Sequence, residues 1–101
     1  MRKFKLDLRN HCVETEIKRI YESLIFKFFN TKDPKEQETI AKDIKLFEKL
    51  LKKNIDFSRL RSSYPPLSGG YEDEVFLIFD KNEAFLCFGN EKTNIFDFLK
   101  E

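Results

Sequence analysis

The stretch Glu74–Gly89, EVFLIFDKNEAFLCFG, constrains this chain more than any other. Two apolar runs, Val75–Phe79 and Ala84–Phe88, flank the polar break Asp80-Lys81-Asn82-Glu83. β-Branched and aromatic residues crowd both runs, and a short turn-type break between such runs reads as a β-hairpin. Neither run alternates cleanly between apolar and polar. Strands that are apolar on both sides need cover on both faces. The other elements must supply that cover, or a partner must.

The N-terminal segment supplies another strand. Phe4, Leu6 and Leu8 alternate with Lys3, Lys5, Asp7 and Arg9. That is period 2, a strand with one buried face. Its lysine- and arginine-rich polar face suits a sheet edge, where charge discourages further pairing.

Next, Val13, Ile17, Ile20, Tyr21, Leu24, Ile25 and Phe28 follow helical spacing, which predicts an amphipathic helix from Val13 to Phe29. Glu14 and Glu16 in its first turn complement the helix dipole. A second helix starts with Asp33 as N-cap, Pro34 at the first helical position and Glu36 three residues on. It is expected to run to Lys53, with Ile40, Ile44, Phe47, Leu50 and Leu51 on its apolar stripe. The short link Asn30–Lys32 makes the two helices an antiparallel αα-hairpin.

Between helix and hairpin lies NIDFSRLRSSYPPLSGGYED, residues 54–73. Ile55, Phe57 and Leu60 suit either a short strand or the end of the second helix, and the Ser, Pro and Gly content from Arg61 onward predicts a long loop. After the hairpin, Asn90 or Thr93 is placed to cap a last helix carrying Ile95, Phe96, Phe98 and Leu99. The expected order is β-α-α-(loop)-β-β-α. It predicts one two-layer α+β domain over residues 1–101, a small antiparallel sheet of three or four strands packed on the αα-hairpin. Phe28, Phe47, Leu77, Phe79 and Phe85 are its expected core. Phenylalanine occurs 12 times and tryptophan not at all, so that core is mostly aromatic–aliphatic.

The charge is uneven. Residues 1–53 hold 14 Lys/Arg against 9 Asp/Glu, and residues 54–101 hold 5 against 9. Lys42, Lys45, Lys49, Lys52 and Lys53 fall within roughly 100° of the second helix, opposite its apolar stripe. Five like charges suggest an anion or nucleic-acid contact, although a merely solvated face has the same look. In the loop, Arg59, Arg61, Ser62, Tyr64 and Tyr71 have the composition of a partner-binding surface, and Gly69-Gly70 lends it flexibility. Ion pairs across an ordinary connection are the plainer reading of the same residues.

Chemistry-bearing motifs are sparse. His11-Cys12 with Cys87 lacks metal-ligand or catalytic spacing, and Cys87 inside an apolar run reads as a small buried hydrophobe. Glu72-Asp73-Glu74 lacks the rest of a calcium loop. No nucleophile elbow or zinc-protease motif occurs, and no pattern points to a cofactor or a metal. The apolar runs are too short to span a membrane. Residues 1–20 contain no apolar h-region, so the expected location is the cytoplasm, with reduced thiols. The function expected from these features is a small non-enzymatic protein that masks a partner protein, as an inhibitor or immunity-type neutraliser does. The alternative is a nucleic-acid-binding regulator using the lysine face with Arg59, Arg61, Lys3 and Lys5. Because the C-terminal helix is too short to cover a second sheet face, self-association as a homodimer through that face or its edge is also expected.

Overall fold

A computed structural model describes residues 1–8, 12–62, 75–88 and 91–100, without the side chains of Arg61, Ser62, Phe88 and Glu91. In chain order the elements are β1 (Arg2–Leu6), α1 (Val13–Asn30), α2 (Pro34–Lys52), α3 (Phe57–Ser62), β2 (Val75–Asp80), β3 (Glu83–Phe88) and β4 (Glu91–Asn94), followed by a 3₁₀ turn at Ile95–Phe98. The four strands form one antiparallel sheet in the order β1-β2-β3-β4. The long helices α1 and α2 form the αα-hairpin of an α+β fold. Strand β1 is an edge of this sheet, as its charged polar face predicts.

Side chains alternate across the strands, so register assigns them to faces. Leu6 pairs with Val75, Phe4 with Leu77, Leu77 with Leu86, and Phe79 with Ala84. All of these face the helical layer, and Leu77, Ala84 and Leu86 are fully buried. From α1 come Val13, Ile17 and Leu24, and from α2 Ile40, Phe47 and Leu50. The rings of Phe4, Phe47 and Phe79 meet edge to face, with centroids 4.9 Å apart for Phe4–Phe47 and 5.2 Å for Phe47–Phe79. Aromatic pairs prefer this geometry because it sets a ring's positive edge against a negative face.

Two buried carboxylates fasten β1 to the helices. Asp43 of α2 accepts two bonds of 2.7 Å from the Arg2 guanidinium. Glu16 of α1 is completely buried and accepts from the Asp7 backbone amide at 2.9 Å and from Arg19 at 2.7 and 3.0 Å. Both carboxylates have partners, so neither carries the large penalty of an unpaired buried charge. One clamp sits at each end of β1.

The ends of α2 follow its local chemistry. Asp33 accepts from the Lys35 amide at 3.0 Å, with Pro34 at the first helical position. After α2, Ile55 forms an antiparallel bridge with Leu99. Asp56 donates its amide to Phe98 at 2.6 Å, and Lys100 donates to Asn54 at 2.7 Å. This pairing holds the C-terminal segment in place. The hairpin closes at Lys81, whose φ of 58° lies in the left-handed region that a side chain disfavours.

Several local expectations change. The segment Glu91–Asn94 is a fourth strand rather than part of a helix, because its backbone pairs with β3. The last helix is a single 3₁₀ turn in which Asn94 accepts from the Phe96 amide at 2.9 Å. From Phe57 on, the segment read as a short strand or the end of the second helix is instead a separate helix, α3, capped by Asp56 and anchored by fully buried Leu60. Phe85 leaves the expected core. Its register opposite Ile78 puts it on the other face of the sheet from Leu77 and Phe79. Phe28 packs only partly buried against the core. Leu8 lies beyond β1, in a turn.

Candidate binding surface on the outer face of the sheet

The face of the sheet turned away from the helices is neither fully polar nor fully covered. The alternation that buries Val75, Leu77 and Phe79 leaves Phe76 and Ile78 half-exposed on the outer side. On β3 the same alternation leaves Phe85 and Cys87 half-exposed. Register aligns these with the neighbouring strands in two rows. Lys3, Ile78, Phe85 and Asn94 form one row, and Lys5, Phe76, Cys87 and Lys92 the other. An apolar centre on β2 and β3 is thus flanked by lysines on both outer strands. Asp80 and Glu83, paired at the hairpin end, bound it on one side.

Two of the lysines lie over the rings. The Lys3 ammonium is 4.0 Å from the centroid of Phe76, and that of Lys92 is 4.1 Å from the centroid of Phe85. An exposed cation–π contact contributes about 0.5–1 kcal/mol. The alkyl stems also shield part of each ring while the charged heads stay in water. Both contacts run between separate strands, Lys3 of β1 to Phe76 of β2 and Lys92 of β4 to Phe85 of β3, so local spacing does not announce them.

The residues singled out by sequence sit elsewhere. Lys42, Lys45, Lys49 and Lys52 are exposed on α2, whose Phe47 points at the sheet, so they line the solvent side of the helical layer. Lys42 lies 3.7 Å from Glu38, one helical turn back. Lys53 ends the helix and lies 5.6 Å over the ring of Phe96. The stripe is therefore shortened at one end and partly neutralised at the other. Arg59 is on α3 rather than in an extended loop, with its guanidinium 5.7 Å over the ring of Phe98. The side chains of Arg61 and Ser62 lie outside the described structure. Tyr64, Tyr71, His11 and the acidic run 72–74 lie outside the described residues.

Cys12 and Cys87 are both free thiols. Cys87 is not the buried hydrophobe expected, because its register puts it on the outer face. Cys12 precedes α1, exposed, with its sulfur 3.1 Å from the Thr15 hydroxyl. That contact, with the amides of the first helical turn, holds its thiol below the ordinary value. Among the described residues no cluster of three His, Cys, Asp or Glu is placed to hold a metal ion. A cleft of about 210 Å³ lies between Phe4 and Lys5 of β1 and Arg19, Ile20, Ser23 and Leu24 of α1. It is smaller than the roughly 300–1,000 Å³ of ordinary small-molecule sites. Two exposed rings, Phe26 and Phe29, stand near the end of α1. No described helix is long and apolar enough to cross a membrane.

Among known proteins, the chain is similar to an uncharacterized protein of Archaeoglobus fulgidus, 38% identical over 56 residues. The matched region is 55% of this chain and 65% of that protein, so the chain spans just under two thirds of the relative's length. No solved structure matches. A protein-family model matches residues 1–87, from β1 to the penultimate residue of β3, and the chain belongs to that family.

Proposed function

We propose that this protein is a small non-enzymatic binding protein whose contact surface is the outer face of its sheet. One observation carries the reading. Phe76, Ile78, Phe85 and Cys87 form a half-exposed apolar centre with lysines on both flanks. A desolvatable centre inside a charged rim is the anatomy of a recognition surface. A face kept merely for solubility would carry polar side chains on the central strands. The α2 lysines lack such an apolar centre, which ranks them below the sheet.

The test is site-specific photo-crosslinking in the source cell. A benzophenone amino acid replaces Ile78, and in a control it replaces Lys45 on α2. The expected result is an adduct from position 78 and none from position 45. Adducts from position 45 alone would overturn the reading. Masking of a partner protein remains a second reading, favoured by Phe26 and Phe29, which are 71% and 77% exposed. Large exposed apolar side chains in a pair are more typical of protein contacts than of anion contacts.

A further inference from the structure

Resting on the proposed role of the outer sheet face, we infer that its occupant is a single-stranded nucleic acid. Phe76 and Phe85 would each stack a base, and Lys3 and Lys92 would meet the flanking phosphates. Three features favour this occupant. First, the rings stand on adjacent strands one diagonal step apart, because Phe76 pairs with Cys87 and Ile78 pairs with Phe85. Diagonal neighbours on an antiparallel pair are about 7–8 Å apart, a span that two unstacked, splayed bases can bridge. Bases stack on aromatic side chains without regard to sequence, since every base has a π-face.

Second, the charge is complementary. Lys3 and Lys92 approach from opposite edges, each with its ammonium already at a ring face. A base that takes the ring face displaces the ammonium outward, where the phosphate of the same nucleotide lies. Lysine's flexible four-carbon stem allows that exchange. Asn94 completes the row beside Phe85; its side-chain oxygen already accepts from the Phe96 amide, and its NH2 group can donate to a base edge.

Third, area separates this occupant from the others. Stable protein interfaces bury about 800 Å² per partner. The apolar centre here is two rows deep on two central strands, room for two bases rather than for such an interface. A second copy is disfavoured by charge. A two-fold axis along the strands would bring Lys5 over Lys92, and one across the strands would bring Lys3 over Lys5.

The test is fluorescence anisotropy with labelled eight-nucleotide oligo-U and oligo-dT, against a duplex of the same length, at 50 and 200 mM salt. The expected result is binding of the single strands in preference to the duplex. F76A and F85A should each weaken it about tenfold, ~1.4 kcal/mol. K3Q and K92Q should each lower the slope of log affinity against log salt by about 0.7. F76L and F85L keep the packing but not the stacking, and should weaken binding even if the alanine variants fail to fold. Absence of single-strand binding at 50 mM salt overturns the inference, as does binding lost on K45Q/K49Q/K52Q but kept in F76L and F85L. Position-78 crosslinks into protein, or a dimer at micromolar concentration that F76E dissociates, also overturn it while leaving the sheet face as the contact surface. Absence of any crosslink from position 78 removes that surface itself.

Discussion

Phe79 and Phe76 are three residues apart on one strand and face opposite ways, so their truncations should differ sharply. Phe79 is 5% exposed and packs against the rings of Phe47 and Phe4. Truncating a buried aromatic to alanine costs about 3–5 kcal/mol, the lost transfer energy plus a cavity. A domain of this size has a total stability of about 5–15 kcal/mol. At about 4–8 °C per kcal/mol, F79A should melt at least 12 °C below the parent. Phe76 is half-exposed, opens no internal cavity on truncation and gives up one contact with Lys3. Its loss should cost about 1–2 kcal/mol, from partial burial, the cation–π contact and alanine's poorer fit in a strand. With no tryptophan in the chain, circular dichroism at 222 nm during urea and thermal unfolding is the readout. Equal losses for the two variants would refute the assignment of faces, and with it the binding surface. A loss below 1 kcal/mol for F79A would remove the hairpin from the core altogether.

Other tests follow from individual contacts. R2A should cost more stability than D43N in urea unfolding, because R2A strands a carboxylate that is 4% exposed, whereas D43N leaves an arginine that is 49% exposed. About 2–3 kcal/mol against about 1 is expected, below fully buried pairs because water screens Arg2. Thiol alkylation should be faster at Cys12 than at Cys87 near neutral pH, and T15V should slow it, since the Thr15 hydroxyl is the main cause of the lowered pKa. Asp56 is held below its ordinary value by the Ser58 hydroxyl and the Arg59 amide. A depressed carboxyl favours the folded state above its unfolded pKa, and that contribution is lost as pH falls through the folded pKa. Protection of the α3 amides, taken relative to their intrinsic exchange rates at each pH, should therefore fall on acidification, and D56N should flatten that response. Finally, K81G should raise stability by about 0.5–1 kcal/mol, because glycine relieves the left-handed backbone at a smaller cost in unfolded-chain entropy.

The elements with strong periodicity were legible from sequence. Val13–Asn30 and Pro34–Lys52 show an apolar stripe, and Asp33-Pro34 marks a start that the backbone adopts. The hairpin was legible because two apolar runs flank a short polar break. Strand β4 was not, since Glu91-Lys92-Thr93-Asn94 has no apolar residue and owes its conformation to pairing with β3. Ile95, Phe96 and Phe98 suggested a helix, yet one 3₁₀ turn places them. α3 was hidden by loop-like residues downstream, although Asp56 three residues before Arg59 is a capping signal that marks its start. The outer face was legible in outline, because a hairpin apolar on both sides must leave one set open. Which set stays open depends on register with β1, where Leu6 opposite Val75 sends Phe76 and Ile78 outward. Lys92 was invisible as a site residue for the same reason, whereas Lys3 was legible, with Lys5, only as a basic residue on an edge strand. Their contacts with Phe76 and Phe85 are made across strands, and charge counts along α2 drew attention to the other side of the molecule. Magnitude also favours the sheet over α2. A base stacked on an aromatic ring contributes about 1–3 kcal/mol, more than the about 0.5–1 kcal/mol of the ammonium it displaces.

Amide chemical-shift mapping tests the central claim most directly. A ¹⁵N-labelled sample is titrated with unlabelled eight-nucleotide oligo-U at low salt. The sheet account predicts shifts concentrated at Lys3, Phe76, Ile78, Phe85, Cys87 and Lys92, with Lys42–Lys52 of α2 unmoved. Shifts confined to α2, or none at any residue of the outer sheet face, would contradict it.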